Sequence, residues 1–306
     1  MRIDKKIQYL KIVFLFPVIV MSQQLPQFSQ YMFNTIAINP AYAGTREELT
    51  IAFLNRNQWV GVNGAPVTQT LTLDSSFPNT KLGAGLSIIN DKLGYENTTS
   101  IYADVSYTLN VNYKYILSFG IKAGISKYGL DSELLIDPDA IGDQYLDKIF
   151  NNWKPNFGVG IYLRSEDLFF GLSSPRLFDY NNKTSIEYVA IERASYYLNG
   201  GYMLEFNPQL SFKPTFLIKY TNGAPISIDI TANFLIQEKL WVGAAYRLND
   251  ALGGYVSLQA TDDIKFGYAY EFITSAISPY TSGSHELFMS YQIKLFEPDC
   301  DCENKF

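Results

Sequence analysis

The residues richest in chemical possibility stand near the C-terminus. His285, the one histidine of the chain, is flanked by Ser282, Ser284 and Glu286. A hydroxyl nucleophile, a general base and a carboxylate to orient it are the parts a hydrolase needs. Neighbouring residues of a strand point to opposite faces, however, so His285 and Ser284 are badly placed to share a proton. The sequence predicts a structural or loop-contact histidine and no catalytic site. Cys300 and Cys302 offer two thiols around Asp301. A tetrahedral structural metal site takes about four ligands, so no metal is predicted there. The pair reads as part of a solvated acidic tail or, in an oxidising compartment, as a local or intermolecular disulfide. No cofactor is predicted.

The bulk properties narrow the elements that could position any site. The 306 residues carry a net charge of -6, which provides no basic face for a nucleic acid. Hydrophobic residues make up 47%, yet mean hydropathy is only -0.04, so apolar and polar residues are finely interleaved. Aromatics reach 15%, with 23 Tyr and 21 Phe, an excess that aromatic girdles at membrane interfaces would use. With both cysteines in the tail, no disulfide framework holds the body of the fold.

Residues 1–22 have the grammar of an export signal. Arg2, Lys5, Lys6 and Lys11 precede the apolar run Ile12–Val20, and Val20-Met21-Ser22 leads to a cleavage point before Gln23. That run is shorter than the ~20 residues a membrane helix requires.

From about residue 48 onward, period-two alternation dominates. Ile101, Ala103, Val105, Tyr107 and Leu109 share one face against Tyr102, Asp104, Ser106 and Thr108. About fourteen such segments recur between residues 48 and 296, each near the ~10 residues of a tilted membrane strand. Alternate connections are short, and the two long ones, near 128–154 and 175–192, share the opposite parity. Asp104, Lys122, Arg164, Arg193, Glu205, Lys213, Lys219, Asp229, Arg247, Glu271, Glu286 and Lys294 are expected on the inner face. These features predict an all-β, antiparallel transmembrane barrel in a bacterial outer membrane, surrounded by lipid. The expected order is a signal peptide (1–22), a periplasmic or lumenal segment (23–47), the barrel (48–296) and an acidic tail (297–306).

Several stretches together resemble the PorP/SprF family of outer-membrane proteins from Bacteroidetes-type bacteria. They are Pro26-Gln27-Phe28-Ser29-Gln30-Tyr31-Met32-Phe33-Asn34, Ile38-Asn39-Pro40-Ala41-Tyr42-Ala43-Gly44 and Arg56-Asn57-Gln58-Trp59-Val60-Gly61 with Gly64-Ala65-Pro66. Asn90-Asp91-Lys92-Leu93-Gly94 and Gly283-Ser284-His285-Glu286 follow in order. The resemblance implies a non-enzymatic component of the type IX secretion and gliding-motility machinery. It also implies partnership with a large secreted adhesin and a link to a periplasmic, peptidoglycan-associated subunit. The alternative is a passive outer-membrane pore.

Two regions are expected to bind partners. In residues 26–44, Phe28, Tyr31, Phe33, Asn39, Pro40 and Tyr42 would either plug the lumen or contact periplasmic proteins. At the outer rim, Trp59, Val60 and Gly61 join the long loops, where Tyr145, Phe150, Trp153, Phe178, Tyr180 and Tyr188 supply apolar anchors.

Overall fold

Alternation along each strand becomes an inside and an outside once the sheet closes on itself. The computed structural model describes residues 27–46, 48–130, 153–178 and 193–294. Its strands are β1 (Leu49–Asn57), β2 (Val67–Ser76), β3 (Leu82–Leu93), β4 (Glu96–Asn110), β5 (Ile116–Leu130), β6 (Trp153–Arg164), β7 (Leu168–Arg176), β8 (Ser195–Tyr202), β9 (Leu204–Asn207), β10 (Leu210–Thr221), β11 (Ser227–Ile236), β12 (Leu240–Arg247), β13 (Ala251–Gln259), β14 (Ile264–Ile273) and β15 (Ser284–Ile293). Both β8 and β9 pair with β10, and only Met203 separates them, so they form one interrupted wall strand. The wall therefore has the fourteen antiparallel strands expected. It closes where β1 meets β15, from Leu49 opposite Ile293 to Asn57 opposite His285. Closure leaves no sheet edge with unpaired backbone groups in lipid.

The two faces differ sharply. Ile121 is 62% exposed and the next residue, Lys122, 1%; Asp229 is 4% exposed and Ile230 57%. An apolar exterior around a polar interior inverts a soluble protein and matches a barrel in hydrocarbon. Inside, hydroxyls pair across neighbouring strands: Thr215 with Thr231 at 2.6 Å, Ser195 with Thr221 at 2.7 Å and Ser100 with Ser126 at 2.9 Å. Each pair satisfies groups that would otherwise be buried bare. No helix among the described residues is long and apolar enough to cross a membrane.

The connections at one end of the barrel, termed the turn end, never exceed five residues. The opposite loop end carries residues 58–66 and 274–283, along with tight links such as Gly94-Tyr95. The predicted leader, Tyr145, Phe150, Tyr180, Tyr188 and the tail with Cys300 and Cys302 lie outside the described residues. Of the twelve charges expected inside, Asp104, Lys122, Lys213, Lys219, Asp229, Arg247, Glu271 and Glu286 are buried in the lumen. Lys294 instead points to solvent beyond β15, and Glu205 is exposed on β9, because the strands there reach the rim.

Candidate functional site: a lumenal strap and its clasp

Fourteen strands enclose more space than wall side chains fill. Small barrels of about eight strands are packed by their own side chains, whereas larger ones enclose cavities or plugs. Here residues 27–46 fill the lumen as a strap of three 3-10 turns, Tyr31–Phe33, Thr35–Ala37 and Pro40–Tyr42. The strap begins at the loop end, where the Gln27 carboxamide donates to Ser227 Oγ (2.9 Å) and to the Asp229 carboxylate at the start of β11. It ends at the turn end, where Gly44 abuts Gly83 and Ser75–Ser76. A buried backbone must satisfy its polar groups. The 3-10 turns bond internally, and wall side chains cap several remaining carbonyls. Ser173 donates to the Ile38 carbonyl (2.8 Å), Ser106 to that of Ala43 (2.5 Å) and Lys122 to that of Ile36 (3.4 Å).

The strap head, Gln27–Phe33, lies against a charged cluster. Arg56 bridges Glu271 (2.5 Å) and Glu286 (3.1 Å), while Arg247 bridges Asp229 (2.8 Å) and Glu271 (3.2 Å). Two guanidinium groups thus face three carboxylates, and the strap supplies the missing donors. The backbone N–H groups of Ser29 (2.9 Å) and Gln30 (2.8 Å) both donate to Glu286. The Ser29 hydroxyl donates to Glu271 (2.7 Å) and accepts from Arg56 (2.7 Å). Below this latch, Tyr31 meets Thr215 Oγ1 at 2.6 Å. Phe33 enters an aromatic box of Trp241, Tyr255 and Phe288, with centroids at 6.1, 6.1 and 5.5 Å.

The tail, Asn34–Arg46, is held by hydrogen bonds and by close fit. The Asn34 carboxamide bridges Thr70 (3.0 Å) and Thr72 (3.1 Å) on β2. Asn39 caps the third turn by accepting from Ala41 N (3.0 Å) and donates to the Ile161 carbonyl (3.1 Å). The backbone of Pro40 and Ala41 occupies the volume where a side chain at Gly120 would stand. Glycine is required there because any Cβ would overlap strap backbone. Tyr42 packs edge-on against Tyr162 at 5.4 Å.

Over the latch sits a clasp between the β1–β2 and β14–β15 loops. Val60 N–H donates to the Gly283 carbonyl and Ser282 N–H to the Val60 carbonyl, each at 2.8 Å. Trp59 N–H donates to Ser284 Oγ (3.2 Å). Gly283 has φ 105°, open to glycine, but Trp59 has φ 47°, a left-handed conformation costing a large side chain on the order of 1 kcal/mol. A third loop joins through Gly94 N–H to the Gly64 carbonyl (2.8 Å). Segments far apart in sequence (56–66, 90–94 and 283–286) thereby meet at the loop end, with 56–66 and 283–286 next to the head.

Of the two uses expected for residues 26–44, the structure shows the lumenal one. Phe28, Tyr31, Phe33, Asn39, Pro40 and Tyr42 are all buried inside the barrel, not on a partner-accessible surface. Trp59 is half-buried in the clasp. Trp153 and Phe178 stand on the outer wall at the loop end, Phe178 packed edge-on against Phe157 at 5.7 Å. His285 faces outward and bonds Tyr268 Oη through Nδ1 at 2.7 Å, while Ser284 is buried on the other face. Sequence reasoning passed over Arg56 as a lumenal counter-ion, although outward Phe53, three residues earlier, gives its parity. Among the described residues no cluster suited to a metal occurs.

A closed antiparallel barrel with an apolar wall and a charged, strap-filled interior is an outer-membrane β-barrel. The chain belongs to the family described as type IX secretion system membrane protein PorP/SprF, which matches residues 20–291, and so is a membrane component of that secretion system. Among curated proteins no sequence matches it. Similar solved structures include the outer-membrane protein Omp33 of Acinetobacter baumannii, with 10% identity over 82% of this chain and 100% of that one at a TM-score of 0.46. The toluene transporter TodX of Pseudomonas putida shares 9% identity over 88% of this chain and 94% of its own, with a TM-score of 0.48. The KdgM porin shares 12% over 80% and 99%, with a TM-score of 0.40.

Proposed function

We propose that the protein is a non-enzymatic adaptor of the type IX secretion and gliding machinery that partners the export or surface attachment of a large adhesin. The loop end faces outward and holds cargo; the turn end faces a periplasmic, peptidoglycan-associated subunit. The observation that carries this reading is the filled lumen. Two cavities among the described residues beside the strap measure about 20 and 10 Å³, room for single waters, where a diffusion channel needs a continuous path. The strap spans the barrel with its head at the loop end and its tail buried at the turn end, so the short turns are what is offered to periplasmic partners. Crosslinking in intact cells followed by mass spectrometry tests the proposal. Recovery of a secretion-machinery subunit or a large adhesin is expected, and recovery of neither refutes it.

The second reading, a passive pore, is favoured by the two-signed charges lining the lumen. Purified protein in planar bilayers should show no stable large conductance. A large steady open state would establish the pore and count against the adaptor.

A further inference from the structure

Clasp and latch are built on the same two strands. Arg56 and Glu286 stand directly opposite in the β1–β15 ladder, and Asn57 faces His285 one step nearer the loop end. Trp59 follows Arg56 by three residues, and Gly283 precedes Glu286 by three. The clasp seals this seam through Val60, whose carbonyl also accepts from Thr281 Oγ1 (3.1 Å) and Ser282 Oγ (3.0 Å). At its tip Tyr280 is 75% exposed and Val60 37%. What binds the loop end therefore bears on the strand pair that holds the strap head.

We propose that the clasp is a transmission element, through which engagement at the loop end loosens Arg56 against Glu286 and releases the strap head while the tail stays seated. Beside the buried Phe28, Tyr31 and Phe33, the polar contacts of the head are bonds to charged groups that water can replace: Ser29 and Gln30 on Glu286, Ser29 on Glu271, Gln27 on Asp229. The tail is wedged, with Pro40–Ala41 over Gly120 and the Ala43 carbonyl over Gly83. A small cavity already runs between Ser29 and Tyr31 on one side and Asp229, Thr231, Arg247 and Glu271 on the other. The head parts from the wall beside that cavity and opens an outer vestibule lined by both signs of charge. The inference concerns the barrel itself and stands whether or not the cargo is an adhesin.

Single-cysteine reporters in the full-length protein, with Cys300→Ser and Cys302→Ser, test it in liposomes. Ser29→Cys is the head reporter, which keeps the backbone bonds to Glu286, and Thr45→Cys is the tail reporter. Maleimide labelling rates are compared in three backgrounds: unchanged, Glu286→Gln, and Thr281→Ala/Ser282→Ala. Loss of the charged acceptor should speed labelling of the head reporter about tenfold or more, as expected for hydrogen bonds to an ionised group. Loosening the exposed clasp should speed it severalfold, and the tail reporter should hold its rate in both. A rise at head and tail reporters together would overturn the proposal, since the whole strap would then be loose. No rise with Glu286→Gln would refute the latch. A rise with Glu286→Gln but none in the clasp variant would refute the transmission. The clasp substitutions lie in a surface loop, at half-buried Thr281 and exposed Ser282, so they keep the proposal testable should Glu286→Gln fail to fold.

Discussion

The two halves of the strap share one lumen and are held by different physics. The head completes an ionic cluster: three carboxylates, two guanidinium groups, and the balance made up by strap N–H and O–H donors. The tail contributes hydrogen bonds to wall hydroxyls and carbonyls, turn geometry and close approach to wall glycines, and its one charge, Arg46, lies over the Tyr42 ring. Charge networks are sensitive to the loss of one member, because the remainder is left buried and uncompensated. Steric seating is sensitive to added atoms and tolerant of changed charge. One strap thus combines an end latched by a charge network beside aromatic packing with a wedged one, and the latched end faces the loops.

The largest expected effect comes from breaking the head cluster. Arg56→Ala leaves Glu271 and Glu286 short of their shared cation and should destabilise the folded barrel by about 3–5 kcal/mol. Urea unfolding in detergent, followed by the fluorescence of lumenal Trp241, reports it. A change below about 1 kcal/mol would show that the cluster is already hydrated and that the contrast between head and tail is false. Gly120→Val probes the tail by pushing a side chain into Pro40–Ala41. It should cost about 1–3 kcal/mol, visible as an earlier loss of the compact, unheated gel band on a temperature series. An unaffected band would mean that the tail yields easily and is not wedged.

Ser29→Ala sharpens the comparison. It removes one hydroxyl from between Arg56 and Glu271 while keeping the N–H bond to Glu286, and should cost about 1 kcal/mol in calorimetry. A loss as large as that of Arg56→Ala would make the hydroxyl, not the ion pairs, the centre of the latch. Lys294→Ala sets the floor. Its side chain is 65% exposed and 4.0 Å from Glu48, so the change in urea midpoint should correspond to less than about 0.5 kcal/mol.

The wall was legible because its signal is repeated and local. The alternation of Ile121 with Lys122, or Asp229 with Ile230, states its own face at every step. Turn lengths then sorted the ends. The strap was only half legible: its amide and aromatic composition marked residues 26–44 as distinct, but nothing periodic chose between lumen and periplasm. The first two 3-10 turns escaped notice for the same reason, since three-residue turns leave no repeat, whereas the Asn39-Pro40 to Gly44 stretch reads as a turn from its residues. Arg56 lay in a quoted motif, yet its role depends on Glu286, which lies 230 residues away and becomes its neighbour only when β15 closes on β1.

By itself, then, the sequence determined the antiparallel barrel, its fourteen strands and their two faces, because local alternation and short turns leave a membrane protein no other way to satisfy its backbone. Only the tertiary structure decided that residues 27–46 run inside, head to the loop end, and that the β1–β2 and β14–β15 loops meet above Arg56 and Glu286. Those facts follow from barrel closure and the volume it encloses, which are properties of the whole ring rather than of any one strand.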